Sequence, residues 1–175
     1  MLVKMKGSND EEKKFDSLDN AELIWTCTEP IIRQIQGKNF EIKSKVYIQL
    51  NTRQQALLMF QVLYGHARNG IAQFYSSLDY LLEKPDFWSE LKAGLQYFED
   101  VEMLGIIKKI EDRYHSEVIN HSNEGEYTGN FPKKYSNVAS LDEIDALYNE
   151  IIPITLRKIS AYIRKNPAYF IQIED

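Results

Sequence analysis

The side chains able to do chemistry are few and poorly grouped. Histidines stand at positions 66, 115 and 121, and no pair has the i, i+4 spacing with which one helix face holds zinc. Asp112 and His115 are three apart, which is loosely half of the Glu-x-x-His pattern that a carboxylate-bridged di-iron bundle uses twice. The second half and the further inward acids are missing, so no metal ligand and no cofactor is assigned. Cys27, the one cysteine, follows Leu23 and Ile24 on an apolar stripe with no adjacent base to favour a thiolate. It reads as a buried structural residue. No G-x-S-x-G elbow, Walker loop or G-x-G-x-x-G occurs. The acid pairs Glu99-Asp100 and Glu111-Asp112 are neighbours in sequence, so on a helix they diverge from any common substrate. No catalytic residue is assigned, and the chain reads as non-enzymatic. The rival is an enzyme of unrecognised type with a pocket near Gln73, Tyr75, Asp112 and His115.

Charge points to a different class of function. The 175 residues carry a net charge of −5, unevenly spread. Residues 79 to 102 hold Asp79, Glu83, Asp86, Glu90, Glu99, Asp100 and Glu102 against Lys84 and Lys92. Residues 124 to 150 are also acidic and include Asp142, Glu143 and Asp145. A face bearing both segments would repel nucleic acid and attract a basic protein surface. Solvated helix faces are the plainer alternative. The acidic balance, with a pI near 5.3, leaves the lysines and arginines at 108 to 113 and 157 to 165 without a backbone-tracking patch, so no direct contact with nucleic acid is expected. One cysteine permits no internal disulfide, and no apolar run reaches the roughly 20 residues of a membrane span. A cytoplasmic location with no membrane contact is the expectation. The 11 tyrosines could anchor an interface, although core or half-buried packing explains them more simply.

The elements that would position these groups are helical. Hydrophobic residues at 43% and sparse Gly and Pro suit one folded domain over 15 to 175, after a flexible tail at 1 to 14. A helix is expected from about 20 to 36, opened by Asp19 or Asn20, shortened or kinked by Pro30 and closed by Gly37. Residues 40 to 50 alternate apolar and polar, which taken alone reads as a short extended segment. Asn51 or Thr52 caps the next helix, which Asn69-Gly70 ends. Another presents Ile71, Phe74, Tyr75, Leu78 and Leu82 until Pro85, and Asp86 starts one more. Asp100 opens a long amphipathic stretch. After a polar loop at 122 to 139, Ser140 and Glu143 form a capping box, and Pro153 breaks the following helix or starts a new one. The fold class is all-α, a compact array of about six or seven helices.

Residues 68 to 77, RNGIAQFYSS, resemble the N-G-G-F-x-Q-F/Y-F/Y-x-N signature of a bacterial helical family named for a DNA-mimic protein. Gly70, Gln73, Phe74 and Tyr75 match; Asn69 and Ile71 replace Gly and Phe, and Arg68 and Ser77 depart from the two Asn positions. Leu141-Asp142-Glu143-Ile144, Tyr148, the run Tyr162 to Pro167 and Phe170 are similar to the family's closing pattern. The likeness covers about residues 50 to 170. It implies an all-helical fold without known catalytic activity and, for the founding member, a dimer whose acidic face imitates DNA toward a transcription factor. Gln73, just after a helix start, is expected to tie the preceding loop's backbone, a structural role. The function read from these features is a protein-binding module. Its acids at 79, 83, 86, 90, 99, 100, 102, 142, 143 and 145 would dock a basic partner, a class that includes DNA-binding proteins. An immunity-type or structural homodimer is the alternative.

Overall fold

A computed structural model describes residues 3–6, 15–123 and 141–174. After strand β1 (Val3–Lys6) the body is helical: α1 (Asn20–Ile35), α2 (Phe40–Tyr47), α3 (Thr52–His66), α4 (Ile71–Ser76), α5 (Leu78–Leu81), α6 (Phe87–Tyr97), α7 (Val101–Asn123) and α8 (Asp142–Lys165). A 3-10 turn at Pro167–Tyr169 leads into β2 (Ile171–Glu174). Six of these helices have eight residues or more, which is the all-α array expected.

Local chemistry starts the helices where the sequence says it should. Asp19 accepts from the Glu22 amide at 2.8 Å while the Glu22 carboxylate accepts from the Asp19 amide at 3.3 Å, a reciprocal box that opens α1. Asn51 and Gln54 repeat the arrangement at α3. Asp100 caps α7 by accepting from the Met103 amide at 3.2 Å. Gly37, at φ +68, takes the left-handed turn after α1.

Three expectations are corrected. Residues 40 to 47 are helix, not strand. Asn39 caps them through the Ile42 amide at 3.0 Å, and Glu41 pairs with Lys45 one turn on. An isolated strand has nothing to saturate its backbone, whereas a helix satisfies itself. Residues 71 to 82 form two short helices. The hydroxyls of Ser76 and Ser77 both donate to the Gln73 carbonyl, at 2.8 and 3.0 Å, and side chains that engage backbone in this way compete with the helical ladder. Pro153 neither ends nor starts a helix. It lies exposed within α8, whose buried face (Tyr148, Thr155, Ile159, Ile163) continues on both sides of it. Packing along 24 residues outweighs one missing hydrogen bond. Pro30 likewise sits inside α1, which runs on to Ile35. Ser140 lies outside the described residues, and Leu141 holds the N-cap of α8 without a side-chain bond.

Five helices close a ring: α1 packs on α3, α3 on α6, α6 on α7, α7 on α8, and α8 back on α1. Their inner faces make one core that includes Leu23, Leu63, Leu91, Ile107 and Ile159, all fully buried. The helices α4 and α8 pack together, and α2 leans on α1 from outside. Strands β1 and β2 pair in parallel, Val3 opposite Ile171 and Lys6 opposite Glu174, so part of the expected N-terminal tail is tied to the end of the helical body.

Cys27 faces the core from α1 with 4% of its surface exposed, and burial pushes its thiol up to about 12. At pH 8 only about one such thiol in ten thousand is ionised, and thiolate is the reactive form. Iodoacetamide at pH 8 is therefore expected to label the native chain at least about 100-fold more slowly than the urea-unfolded chain. Equal rates would place Cys27 outside the core.

Candidate functional site

The segment from Asn69 to Tyr75 forms the joint between α3, α4 and α8. Gly70 adopts φ +104 and ψ 169, a conformation that L side chains rarely take, and it is the N-cap of α4 without a side chain to do the capping. Asp145, reaching from the first turn of α8, supplies the missing acceptor. Its Oδ1 accepts from the Ile71 amide at 2.6 Å, and its Oδ2 accepts from Asn149 at 3.1 Å. A Cβ on Gly70 would meet that Oδ1 at 2.8 Å, so glycine serves both the backbone turn and the close approach. Gln73 Oε1 accepts from the Asn69 amide at 3.1 Å, tying the preceding loop as its position suggested. Phe74 is fully buried, its ring centroid 6.4 Å from those of Phe87 and Trp88.

Tyr75 turns inward. Its hydroxyl donates to Glu117 Oε2 at 2.7 Å, and burial, with help from that carboxylate, raises its pKa well above the usual tyrosine range. Its ring meets Tyr114 edge-on, and the Tyr114 hydroxyl donates to Asp79 Oδ1 at 3.0 Å. Asp112 and His115 lie exposed on α7. The four residues of the enzymatic alternative thus hold different positions: Gln73 is spent on a loop, Tyr75 is buried on Glu117, and Asp112 and His115 face outward. Among the described residues no three of His, Cys, Asp or Glu come together as a metal would require.

The ten acids separate into two groups. Asp79, Glu90, Asp100 and Asp145 serve the fold. Asp79 holds Tyr114, and Glu90 pairs with Lys84. Asp100, only 2% exposed, caps α7 with Lys158 at 3.7 Å. Asp145 caps α4. A carboxylate spent, while no more than part-exposed, on an amide, a hydroxyl or a lysine inside the molecule is not offered to a partner, so these four are withdrawn from the proposed docking set. The remaining six are exposed and fall into three pairs. Glu83 and Asp86 precede α6, Glu99 and Glu102 follow it, and Asp142 and Glu143 open α8. With 11 residues in α6 the first two pairs lie roughly 15–20 Å apart. Glu102 sits 3.7 Å from Lys158, and from there to Asp142 is about 24 Å along α8. Three separate pairs result, each more than a screening length from the next. Between them α8 exposes Leu147 (37%) and Ile154 (47%).

One feature of the surface has no mark in the sequence. A groove of about 590 Å³ opens between the end of α1, the inner face of α2, and α3 and α5. Its floor is apolar, with Ile35, Leu58, Val62 and Phe87, and its rim carries Lys38, Lys43, Lys84 and His66. Lys84 lies over the Tyr47 ring with its nitrogen 4.0 Å from the centroid, and burial there pulls its amine below the usual lysine range, with Asp86 pulling the other way. Burial also lowers His66. The apparent alternation at 40 to 50 concealed this helix face, because Phe40, Lys43, Ser44 and Tyr47 do not read as one stripe by hydrophobicity.

No helix among the described residues is long and apolar enough to cross a membrane. Residues 48–166 match the model of a family described as DMP19-like protein. No curated protein and no solved structure matches.

Proposed function

Because the chain belongs to the DMP19-like family, a DNA-mimic family of helical proteins, we propose that it is a non-enzymatic binding module that docks a basic protein through three exposed acid pairs. The observation that carries this reading is the set Glu83/Asp86, Glu99/Glu102 and Asp142/Glu143, exposed while their four neighbours are spent inside the fold. Duplex DNA presents one charge per roughly 1.7 Å, or about 14 over the 24 Å between Asp142 and Lys158. This stretch offers a few carboxylates and two exposed apolar residues. The proposed contact is therefore made at discrete points, each acid pair meeting a basic side chain and Leu147 and Ile154 meeting an apolar one. A DNA-binding protein, whose surface is basic by necessity, fits that description as a partner class.

The separation of the pairs makes their contributions additive. For a partner captured from native lysate and then purified, neutralising Asp142→Asn with Glu143→Gln is expected to weaken binding about fivefold at low salt. Glu99→Gln with Glu102→Gln, about 24 Å away along α8, should do the same, and the quadruple variant about 25-fold. The contrast should shrink as ionic strength rises from 50 to 300 mM, where surface charges are screened. A titration in which the quadruple variant binds as tightly as the wild type at low salt would rule out docking through these acids.

A further inference from the structure

The groove beside α2 has the build of a ligand site. A free-standing amphipathic helix gains its place by burying one face. Phe40, Lys43, Ser44 and Tyr47, at spacing i, i+3, i+4 and i+7, all point at the groove, and no residue of α2 is buried. Val46 and Tyr47 pack half-buried against the core, while Phe40, Lys43 and Ser44 line open volume where core would be expected. Two cation–aromatic contacts tie α2 to α5 and the turn after it, Lys43 on Tyr80 and Lys84 on Tyr47, the first with the lysine also donating to the Tyr80 hydroxyl. The volume of about 590 Å³ lies within the range of small-molecule pockets.

The charges choose the class of ligand. Three lysines and a half-buried histidine line the groove against one acid, Glu83, and Glu90 on α6 pairs with Lys84 from outside it. Asp86 acts on Lys84 as well, so with that lysine offset and the histidine neutral, Lys38 and Lys43 over Glu83 leave one positive charge. The His66 imidazole has no hydrogen-bond partner among the described residues. We infer that the groove binds a monoanionic amphiphile, an alkyl carboxylate whose chain lies on the Ile35, Leu58, Val62 and Phe87 floor and whose head meets Lys43, Lys84 and His66. A bound chain would bury the inner face of α2 and fix that helix on the ring. This inference does not rest on the acid-pair docking reading: the head contacts are Lys43, Lys84 and His66, none of them in the docking set, and Glu83 alone is common to the two surfaces.

The test is titration of the full chain with octanoate, decanoate, decanol and decylamine, followed by calorimetry and by amide chemical shifts. Decanoate is expected to bind about tenfold tighter than octanoate, the value of two more buried methylenes. It should bind at least about tenfold tighter than decanol, and decylamine should not bind, because the rim is basic. Shifts should concentrate on residues 32 to 47 and 58 to 66. Lys43→Gln with Lys84→Gln should erase the advantage of decanoate over decanol. Decanol or decylamine binding as well as decanoate to the wild-type chain overturns the inference. So does saturable binding whose shifts fall elsewhere, or an absence of binding by the folded chain, and neither of these needs the variant.

Discussion

Replacing Phe74 with alanine is expected to cost about 4 kcal/mol of stability and to lower the melting temperature by about 12 °C, read by calorimetry. The helix that carries it, α4, has only six residues and cannot hold itself together in water. Phe74 fastens it, with no exposed surface and with Phe87 and Trp88 against its ring. Truncation removes that contact and leaves a cavity at the start of α6, where the backbone has little freedom to close in. Phe74→Leu keeps most of the volume and should cost about 1.5 kcal/mol. A loss below about 1 kcal/mol for the alanine variant would mean that α4 is not seated on α6 as described.

The second large effect lies at the joint between α4 and α8. Gly70→Ala meets two penalties. The residue must hold φ +104, and its new Cβ collides with Asp145 Oδ1 unless that carboxylate swings away from the Ile71 amide. Backbone strain of this kind and loss of a charged acceptor together cost about 3 kcal/mol. Asp145→Ala, which leaves the Ile71 amide without its acceptor, should cost about 2 kcal/mol. The double variant should lose about 3 kcal/mol, well short of the sum, since removing the carboxylate also removes the collision. Urea unfolding of the four proteins measures the coupling. Strict additivity would show that Gly70 and Asp145 do not share one contact.

How far the sequence discloses this molecule depends on the range of the forces involved. The caps at Asp19, Asn51 and Asp100 are local chemistry over three residues, and all three are legible in the chain. So is the tie from Gln73 to the Asn69 amide. Residues 40 to 47 mislead because alternation is only a statement about faces. Whether a strand exists depends on a partner, and among the described residues the only strands, β1 and β2, pair with each other. Pro153 misleads in the opposite sense, since a local penalty yields to packing that the local pattern does not display. The acids are the sharpest case. Asp145 and Glu143 look alike two positions apart, yet one binds an amide 74 residues away in the chain and the other faces solvent. Nothing short of the fold separates them. The groove belongs to the same category, because it is the space between α1, α3 and α5 that α2 fails to fill.

The closed ring of helices has a consequence for how the chain is made. Synthesis delivers α1, α3, α6 and α7 in order, each able to settle on the one before it, but among the described residues α1 and α7 share no extensive seam until α8 joins them. A ribosome that has not yet released residues 142 to 165 therefore carries a nascent chain with two apolar flanks open to water. Chaperone demand should be concentrated in that interval, and it ends when the eighth helix emerges.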